Sequence, residues 1–208
     1  MTSEFAALLR LNVGGSLKHT RLTVAKICHE LANHLSVIQF LRDDLSERKD
    51  DEFMELCRGI DCLSLTLRFF RNIYLSNGDV ECLVNIVIDL FKATQLVLSD
   101  KNNILRNIVN SPKEKVVCGA LYIMMKTCKI GDEISIDRVG NNGYEIVIQS
   151  VGRTLPSGAI AALSDNDVQE DVFNVFVMYI KDTARLAGLN LKIDKTFNDF
   201  LRMLIWKE

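Results

Sequence analysis

The residues best suited to chemistry lie in the segment KICHELANHL, residues 26–35. Successive residues of an α-helix are turned by about 100°, and this angle places His29 nearly opposite the apolar side chains of the same helix. Those apolar side chains are Leu31, Leu35, Ile38 and Leu45. We therefore expect the His29 imidazole to face water.

Several polar and aromatic side chains share that solvent-facing side. Asn33, Ser36 and Phe40 lie within about 40° of His29, and Glu30 is one residue further along. A neutral imidazole is a nucleophile near pH 7, and histidine forms covalent intermediates. A carboxylate such as Glu30 can hydrogen-bond the other ring nitrogen and stabilise the charge that develops when phosphorus bonds to the ring. The pattern favours phosphoryl transfer, where positioning and charge stabilisation supply most of the catalysis.

These residues also allow plainer interpretations. His29 has the pattern of an ordinary exposed helix histidine, and Phe40 either anchors a partner helix or covers the junction between helix and loop. His34 lies about 140° from His29, so the two rings do not share a metal ion as histidines spaced i, i+4 do. We interpret His34 and His19 as structural or solvated.

The elements that must position this strip are two long helices. Apolar residues at three-and-four spacing predict one helix from about residue 21 to 49 and a second with apolar positions from Phe53 to Tyr74, ended by Asn77-Gly78. A hairpin of two helices cannot bury both apolar stripes. Pairing two copies of the chain into a four-helix bundle would do so, and we therefore predict a homodimer.

The remainder of the chain mixes helix and strand patterns. Helices are predicted over 79–99, from Pro112 to Cys128 and over 168–187, where Gly188 ends the last one. Strands are predicted over 103–109, 189–195 and 197–206, and a β-hairpin over 133–139 and 144–151 around a Gly/Asn turn. We expect an α+β fold with an antiparallel or mixed sheet covered by helices on one face. The predicted domains are 1–77 and 78–208.

Composition excludes several classes of protein. The 208 residues are 48% hydrophobic and 25% charged with a net charge of −2, which is typical of a globular protein and gives no reason to expect nucleic-acid binding. No apolar run of 18 residues and no secretory signal is visible, so a cytoplasmic protein without membrane contact is expected. The six cysteines lie singly in apolar segments, and we predict reduced core cysteines rather than disulfides or a metal site.

The segment CHELANHL resembles the phosphoacceptor box of dimerising two-component histidine kinases and, more closely, that of ChpT-type bacterial histidine phosphotransferases. The resemblance implies a dimerising hairpin followed by a domain similar to a kinase ATP-binding domain that has lost nucleotide binding. It implies that His29 receives a phosphoryl group from the receiver of a hybrid sensor kinase and passes it to response-regulator aspartates. The family's acidic position maps onto Glu30. The pattern Glu30-x-x-Asn33 also resembles a kinase motif that orients water for regulator dephosphorylation.

Three segments depart from the ATP-binding kinases of this superfamily. The counterpart of their asparagine-rich, magnesium-binding helix is KVVCGALYIMMKTC, which has no asparagine. The counterpart of the motif that reads adenine is IQSVGRTLPSG, which has no aspartate. The helix VFVMYIKDTARLAG does not open with a glycine-rich phosphate cradle. We therefore expect no bound cofactor, with magnesium held by the partner receiver.

Two other functions stay open at this point. One is a dimeric adaptor without catalytic activity, which binds response-regulator receivers and in which His29 is incidental. The other is an ATP-dependent sensor kinase with a cryptic nucleotide site, for which nucleotide would raise the thermal stability. Replacing His29 by Ala separates the first of these from a phosphotransferase, and labelling by ATP alone separates the second.

Overall fold

The structure is a computed structural model that describes residues 31–32, 35–36, 38–40, 42–43, 50–74, 82–140, 143–150, 152–164, 172–194 and 200–207. For residues 52 and 172 it describes the backbone alone. The described residues form two compact units, which divide between Thr94 and Gln95. We call them the helical unit and the α+β unit.

The helical unit is built from an N-terminal helical segment and two further helices. All the described residues of 31–43 are helical. Helix α1 spans Asp51–Tyr74, and α2 spans Leu83–Ala93 and packs against α1. Asp50 caps the first turn of α1, because its carboxylate accepts the Phe53 backbone N–H at 2.9 Å. The helix predicted around Phe53 and Tyr74 is confirmed.

The α+β unit contains a five-stranded mixed sheet with the order β1-β2-β3-β5-β4. Its strands are β1 (Val97–Ser99), β2 (Glu133–Val139), β3 (Gly143–Ile148), β4 (Asn190–Asp194) and β5 (Leu201–Trp206). β1 pairs with β2 in parallel, and the other neighbours are antiparallel. The predicted hairpin is confirmed, with Ile134 opposite Ile148 and Val139 opposite Gly143.

Four helices accompany the sheet. They are α3 (Ile104–Ile108), α4 (Pro112–Met125), α5 (Ser157–Leu163) and α6 (Val172–Leu186). α4 begins with a proline at its first position, where the missing N–H costs nothing, and its residues from Val116 to Met125 are all buried. α6 packs against α4 and α5. The predicted α+β class and the mixed sheet are both confirmed.

Three predicted elements were wrong. The strand predicted over 103–109 is helix α3, because the Asp100 carboxylate accepts the N–H groups of Ile104 and Leu105 at 2.7 and 3.0 Å and fixes a first helical turn. The helix predicted over 79–99 ends at Ala93, and its tail is strand β1, which pairs with β2.

Helix α5 was not predicted from the sequence. The structure has Gly158 in this helix and against Asn174 of α6. A β-carbon at Gly158 would lie 2.3 Å from the Asn174 Nδ2 atom, so a larger residue would displace the buried Asn174 side chain.

The division of the chain also differs from the predicted one. The boundary predicted between residues 77 and 78 would group α2 with the sheet, whereas the structure groups it with α1. Most of the apolar side chains of α2 from Leu83 to Phe91 are buried. Their packing against α1 keeps α2 in the helical unit.

Candidate functional site

The predicted site residues fall partly outside the structure's description. His29, Glu30 and Asn33 are not among the described residues, so their placement stays a prediction. Ser36 and Phe40 are described, helical and exposed. The Ser36 hydroxyl donates a hydrogen bond to the Ala32 carbonyl at 2.9 Å, and the Phe40 side chain is 72% exposed. The Phe40 ring is thus accessible to another molecule.

The apolar stripe of the N-terminal helical segment divides into two parts. Leu35 is buried within the chain, whereas Leu31 and Ile38 are each 46% exposed. Leu31 and Ile38 are seven residues apart and share one side of the helix. Leu45 lies outside the described residues. Part of the predicted stripe therefore stays open to solvent in a single copy of the chain.

Helix α1 carries a second open apolar stripe. Leu56 and Leu63 are 58% and 50% exposed and seven residues apart, and Leu67 and Phe70 continue the line half-buried. We call these four residues the α1 stripe. Heptad spacing of this kind is the pattern of helices that pack against another helix. Other residues of α1, such as Phe53, Ile60 and Phe69, are buried, so the α1 stripe lies on the more exposed side of the helix.

A groove of about 500 Å³ lies between the N-terminal helical segment, α1 and α2. Its lining residues are Gln39, Asp61, Ser64, Leu65, Arg68, Asp89, Lys92 and Ala93. The lining includes acidic and basic side chains together with the apolar Leu65 and Ala93. All three helical elements contribute, so the groove depends on the packing of the helical unit.

Ion pairs order the edges of this groove. The Arg42 guanidinium bonds Asp61 at 2.6 Å and Asp43 at 3.0 Å, and hydrogen bonds to Asp43 and Asp61 raise the pKa of Arg42. Lys92 bonds Asp89 at 2.9 Å one turn earlier on α2, with the Lys92 side chain 73% exposed. Exposed pairs of this kind contribute little to folding. The charge on Lys92 is therefore accessible to a partner.

In the α+β unit, helix α4 is closely covered by α6. α4 contacts α6 at Gly119, where a β-carbon would lie 2.3 Å from the Ile180 Cδ1 atom. The rings of Tyr122 and Phe176 meet edge to face at 5.5 Å. Both contacts place apolar side chains of α6 directly on α4.

The segment after β3 is held by the carboxylate of Asp132. Asp132 accepts two hydrogen bonds from the Arg153 guanidinium, at 2.7 and 3.0 Å, one from the Ser150 hydroxyl at 2.7 Å and one from the Lys129 N–H at 2.8 Å. These hydrogen bonds, that of Arg153 first, hold the pKa of Asp132 well below its usual range. The Asp132 side chain is 11% exposed. The segment is thus tied to the start of β2.

The cysteines near these groups show no sign of reactivity. Burial, followed by the charge of Asp132, raises the pKa of Cys128 to about 11, so its thiol stays protonated at neutral pH. The described cysteines form no disulfide with one another, and Cys118 is buried. The described residues contain no cluster of His, Cys, Asp or Glu that suits a metal ion. Among the described helices, none has the length and apolar character needed to cross a membrane.

Sequence reasoning did not find the groove or the Asp132–Arg153 pair. Asp132 and Arg153 are 21 residues apart, and Arg42 and Asp61 are 19 apart. Neither pair falls at a helical or strand spacing. Charged residues are common on surfaces, so only the packed structure distinguishes those that meet.

Comparison with known proteins gives a likeness in structure alone. No protein-family model and no curated protein matches the sequence. The chain is similar to a bacterial phosphotransferase solved at 1.7 Å, with a TM-score of 0.60, 15% identity, and coverage of 94% of this chain and 96% of that one. The match includes both the helical unit and the α+β unit.

Histidine kinases give weaker matches. Full-length ShkA in complex with AMPPNP has a TM-score of 0.46 at 12% identity, over 88% of this chain and 44% of that one. The histidine kinase domain of a blue-light activated kinase from Erythrobacter litoralis EL346 has a TM-score of 0.40 at 10% identity, over 89% and 92%. Scores below 0.5 do not establish a shared fold.

Proposed function

We propose that this chain, which has the fold of a bacterial phosphotransferase, is a ChpT-type histidine phosphotransferase that carries a phosphoryl group on His29. It accepts the group from the receiver domain of a hybrid histidine kinase and passes it to response-regulator aspartates, without binding ATP. The observation that carries the proposal is the fold match over 94% of this chain and 96% of its counterpart, because it covers both the helical unit and the α+β unit.

The transfer step needs few groups from this chain. A neutral nitrogen of the His29 imidazole attacks phosphorus, the bond to the receiver's aspartate oxygen breaks, and that oxygen leaves as a carboxylate. Glu30 accepts a hydrogen bond from the other ring nitrogen and stabilises its positive charge. The receiver supplies magnesium, which offsets the charge on the phosphoryl oxygens. Transfer to the next aspartate is the same step in reverse.

Dimerisation of the helical unit is part of the proposal. The exposed leucines of the α1 stripe, together with Leu31 and Ile38, give two helical elements an apolar side that the described residues of one chain leave about half exposed. A symmetric pairing of two such hairpins covers these sides in a four-helix bundle. Phe40 is turned by about 160° from Ile38 around the helix axis. The side that carries Ser36 and Phe40 therefore lies nearly opposite the apolar side. Pairing would therefore leave the His29 strip accessible.

Two contacts in the α+β unit support the absence of ATP binding. Ile180 lies on Gly119 of α4, so an asparagine in place of that glycine would not fit beside it. Arg153 binds Asp132 and draws the segment after β3 onto the start of β2. The two segments that the sequence resemblance equates with the kinase magnesium and adenine motifs thus make contacts that hold the unit together.

The experiment is a transfer assay with the purified chain and a phosphorylated receiver domain. The wild-type chain is expected to acquire an acid-labile, base-stable phosphoryl label, and His29→Ala is expected to acquire none. Glu30→Ala should slow transfer about tenfold or more, because a hydrogen bond between charged groups contributes about 1.5–3 kcal/mol. His34→Ala is the matched control, because it removes a neighbouring histidine from the far side of the same helix, and it should transfer at the wild-type rate.

Other outcomes separate the alternatives. Label retained in His29→Ala would refute the proposal. A chain that binds receivers without taking up label is an adaptor. Label acquired from ATP alone, with nucleotide-dependent thermal stabilisation, identifies a kinase.

A further inference from the structure

The groove of the helical unit lies beside the strip on which His29 is predicted. Gln39 lines the groove and immediately precedes Phe40, so the groove and the exposed Phe40 ring are neighbours on one helical segment. Ser36 is turned by about 60° from Gln39 and about 40° from Phe40. The three side chains therefore form one continuous side, which runs from the predicted phosphoacceptor level into the groove.

The distance along the helix matches the size of a receiver domain. Gln39 follows His29 by ten residues, which corresponds to about 15 Å along a helix axis. A domain of about 100 residues has a radius of gyration of about 13 Å. A receiver whose aspartate meets His29 would therefore extend to the level of the groove.

At that level, helix α2 supplies one wall of the groove. Asp89, Lys92 and Ala93 come from α2, while Asp61 and Leu65 come from α1. The Lys92 side chain is 73% exposed, and its carboxylate partner Asp89 is itself about half exposed. Rim charges of this kind act on partner choice and on association more than on folding.

We propose that Lys92 of α2 is a specificity-determining residue for receiver docking. This inference rests on the proposed function. The occupant is the receiver domain, which places an apolar side chain over Leu65 and Ala93 and a carboxylate opposite Lys92. In this arrangement His29 presents the phosphoacceptor, and Lys92 of α2 faces the charge of the docked receiver at the level of the groove.

The test separates chemistry from docking with a small phosphodonor. Phosphoramidate transfers its phosphoryl group directly to histidine: its phosphorus–nitrogen bond breaks, ammonia leaves, and a bond from phosphorus to the imidazole nitrogen forms. Wild type, Lys92→Glu and Arg185→Glu are each labelled with phosphoramidate. Arg185 belongs to an exposed i, i+3 pair with Asp182 in the α+β unit, so Arg185→Glu makes the same change in net charge at a matched position.

Each labelled chain is then mixed with rising concentrations of the receiver domain that removes the label fastest from wild type in a panel. We expect Lys92→Glu to raise the concentration for half-maximal transfer about tenfold or more, with the maximal rate within about twofold of wild type, because a like charge opposes docking. Lys92→Gln should give an intermediate increase. Arg185→Glu and wild type should have the same half-maximal concentration, within about twofold.

The outcomes distinguish the two proposals. If Lys92→Glu behaves like Arg185→Glu while wild type transfers efficiently, the specificity role is overturned and the proposed function stands. If wild type accepts label from phosphoramidate and passes it to no receiver, or accepts none, both proposals fail. Phosphoramidate labelling should not differ among the three chains, and a loss of labelling in Lys92→Glu would indicate structural damage and overturn the docking role.

Discussion

The two units of this protein bury their apolar residues to different degrees. In the α+β unit, the sequence around α4 is almost wholly enclosed, and Gly119 is in tight contact with α6. In the helical unit, two pairs of apolar side chains at heptad spacing stay about half exposed. They are Leu56 and Leu63 on α1 and Leu31 and Ile38 on the N-terminal segment. Single exposed leucines are ordinary, whereas a stripe at helical spacing indicates a surface made to be covered.

The two units differ in what they leave exposed. The α+β unit encloses α4 within one chain and largely buries the Asp132–Arg153 pair, although apolar residues such as Leu186 are exposed there too. The helical unit leaves apolar side chains at heptad spacing, the Phe40 ring and a charged groove accessible at once. The partner contacts proposed above all lie in the helical unit.

The largest expected effect tests whether the α1 stripe is an interface. Leu63→Glu should convert a dimer to a monomer, because a symmetric interface loses two leucine side chains, each worth about 1.5–3 kcal/mol when buried, and gains two unpaired charges. Light scattering coupled to size exclusion measures the mass. Leu186→Glu is the control, since Leu186 is 73% exposed on α6 of the α+β unit. A wild-type chain that is already monomeric, or a Leu63→Glu dimer, would contradict the contrast.

A smaller effect, on the free energy of unfolding, is expected when one glycine from each unit is replaced by alanine. Gly119→Ala should destabilise the protein by about 1–3 kcal/mol, because the new methyl group overlaps the Ile180 side chain. Gly59→Ala should instead stabilise by about 0.5–1 kcal/mol, since Gly59 lies in α1 with no atom within 4 Å of the added carbon. Urea unfolding measures both free energies. Ile180→Val removes the Cδ1 atom nearest to Gly119, so adding it to Gly119→Ala should recover part of the loss. Equal losses in both glycine variants would contradict the difference in packing.

The smallest effect, on the melting temperature as a function of pH, is expected when one carboxylate from each unit is neutralised. The folded-state pKa of Asp132 lies below its unfolded value of about 3.9, so its contribution to stability is present above about pH 4 and is lost as the pH falls through the folded pKa. Asp132→Asn should lower the melting temperature on the order of 5 °C at pH 7. That difference should hold down to about pH 5 and narrow below about pH 4.

Asp61→Asn is the matched control for this series. Asp61 bonds Arg42 from a more exposed position, where ion pairs contribute about 0–1 kcal/mol. Its melting temperature should stay within about 2 °C of wild type at every pH. A difference for Asp132→Asn that stayed constant down to pH 3 would show that the Asp132 charge does not stabilise the fold.

Much of this fold could be predicted from residue patterns, and the failures have local causes. The apolar period of α1 and the Gly/Asn turn between β2 and β3 are strong local signals, and both elements are present. β1 has only three residues, and it is a strand because β2 lies beside it. The residues of α3 fit a strand or a helix equally, and the Asp100 carboxylate decides for the helix.

The sequence by itself determined which residues have the chemistry of a phosphoacceptor strip and which helices carry apolar stripes, because side-chain type and helical period are local properties. Only the tertiary structure decided that α2 joins α1, that the groove at Lys92 exists, and that Asp132 holds Arg153. Such contacts join residues distant in the chain, and their energies depend on burial and distance, which no local pattern contains. The role of His29 remains a prediction from the local pattern, and the transfer assay tests it.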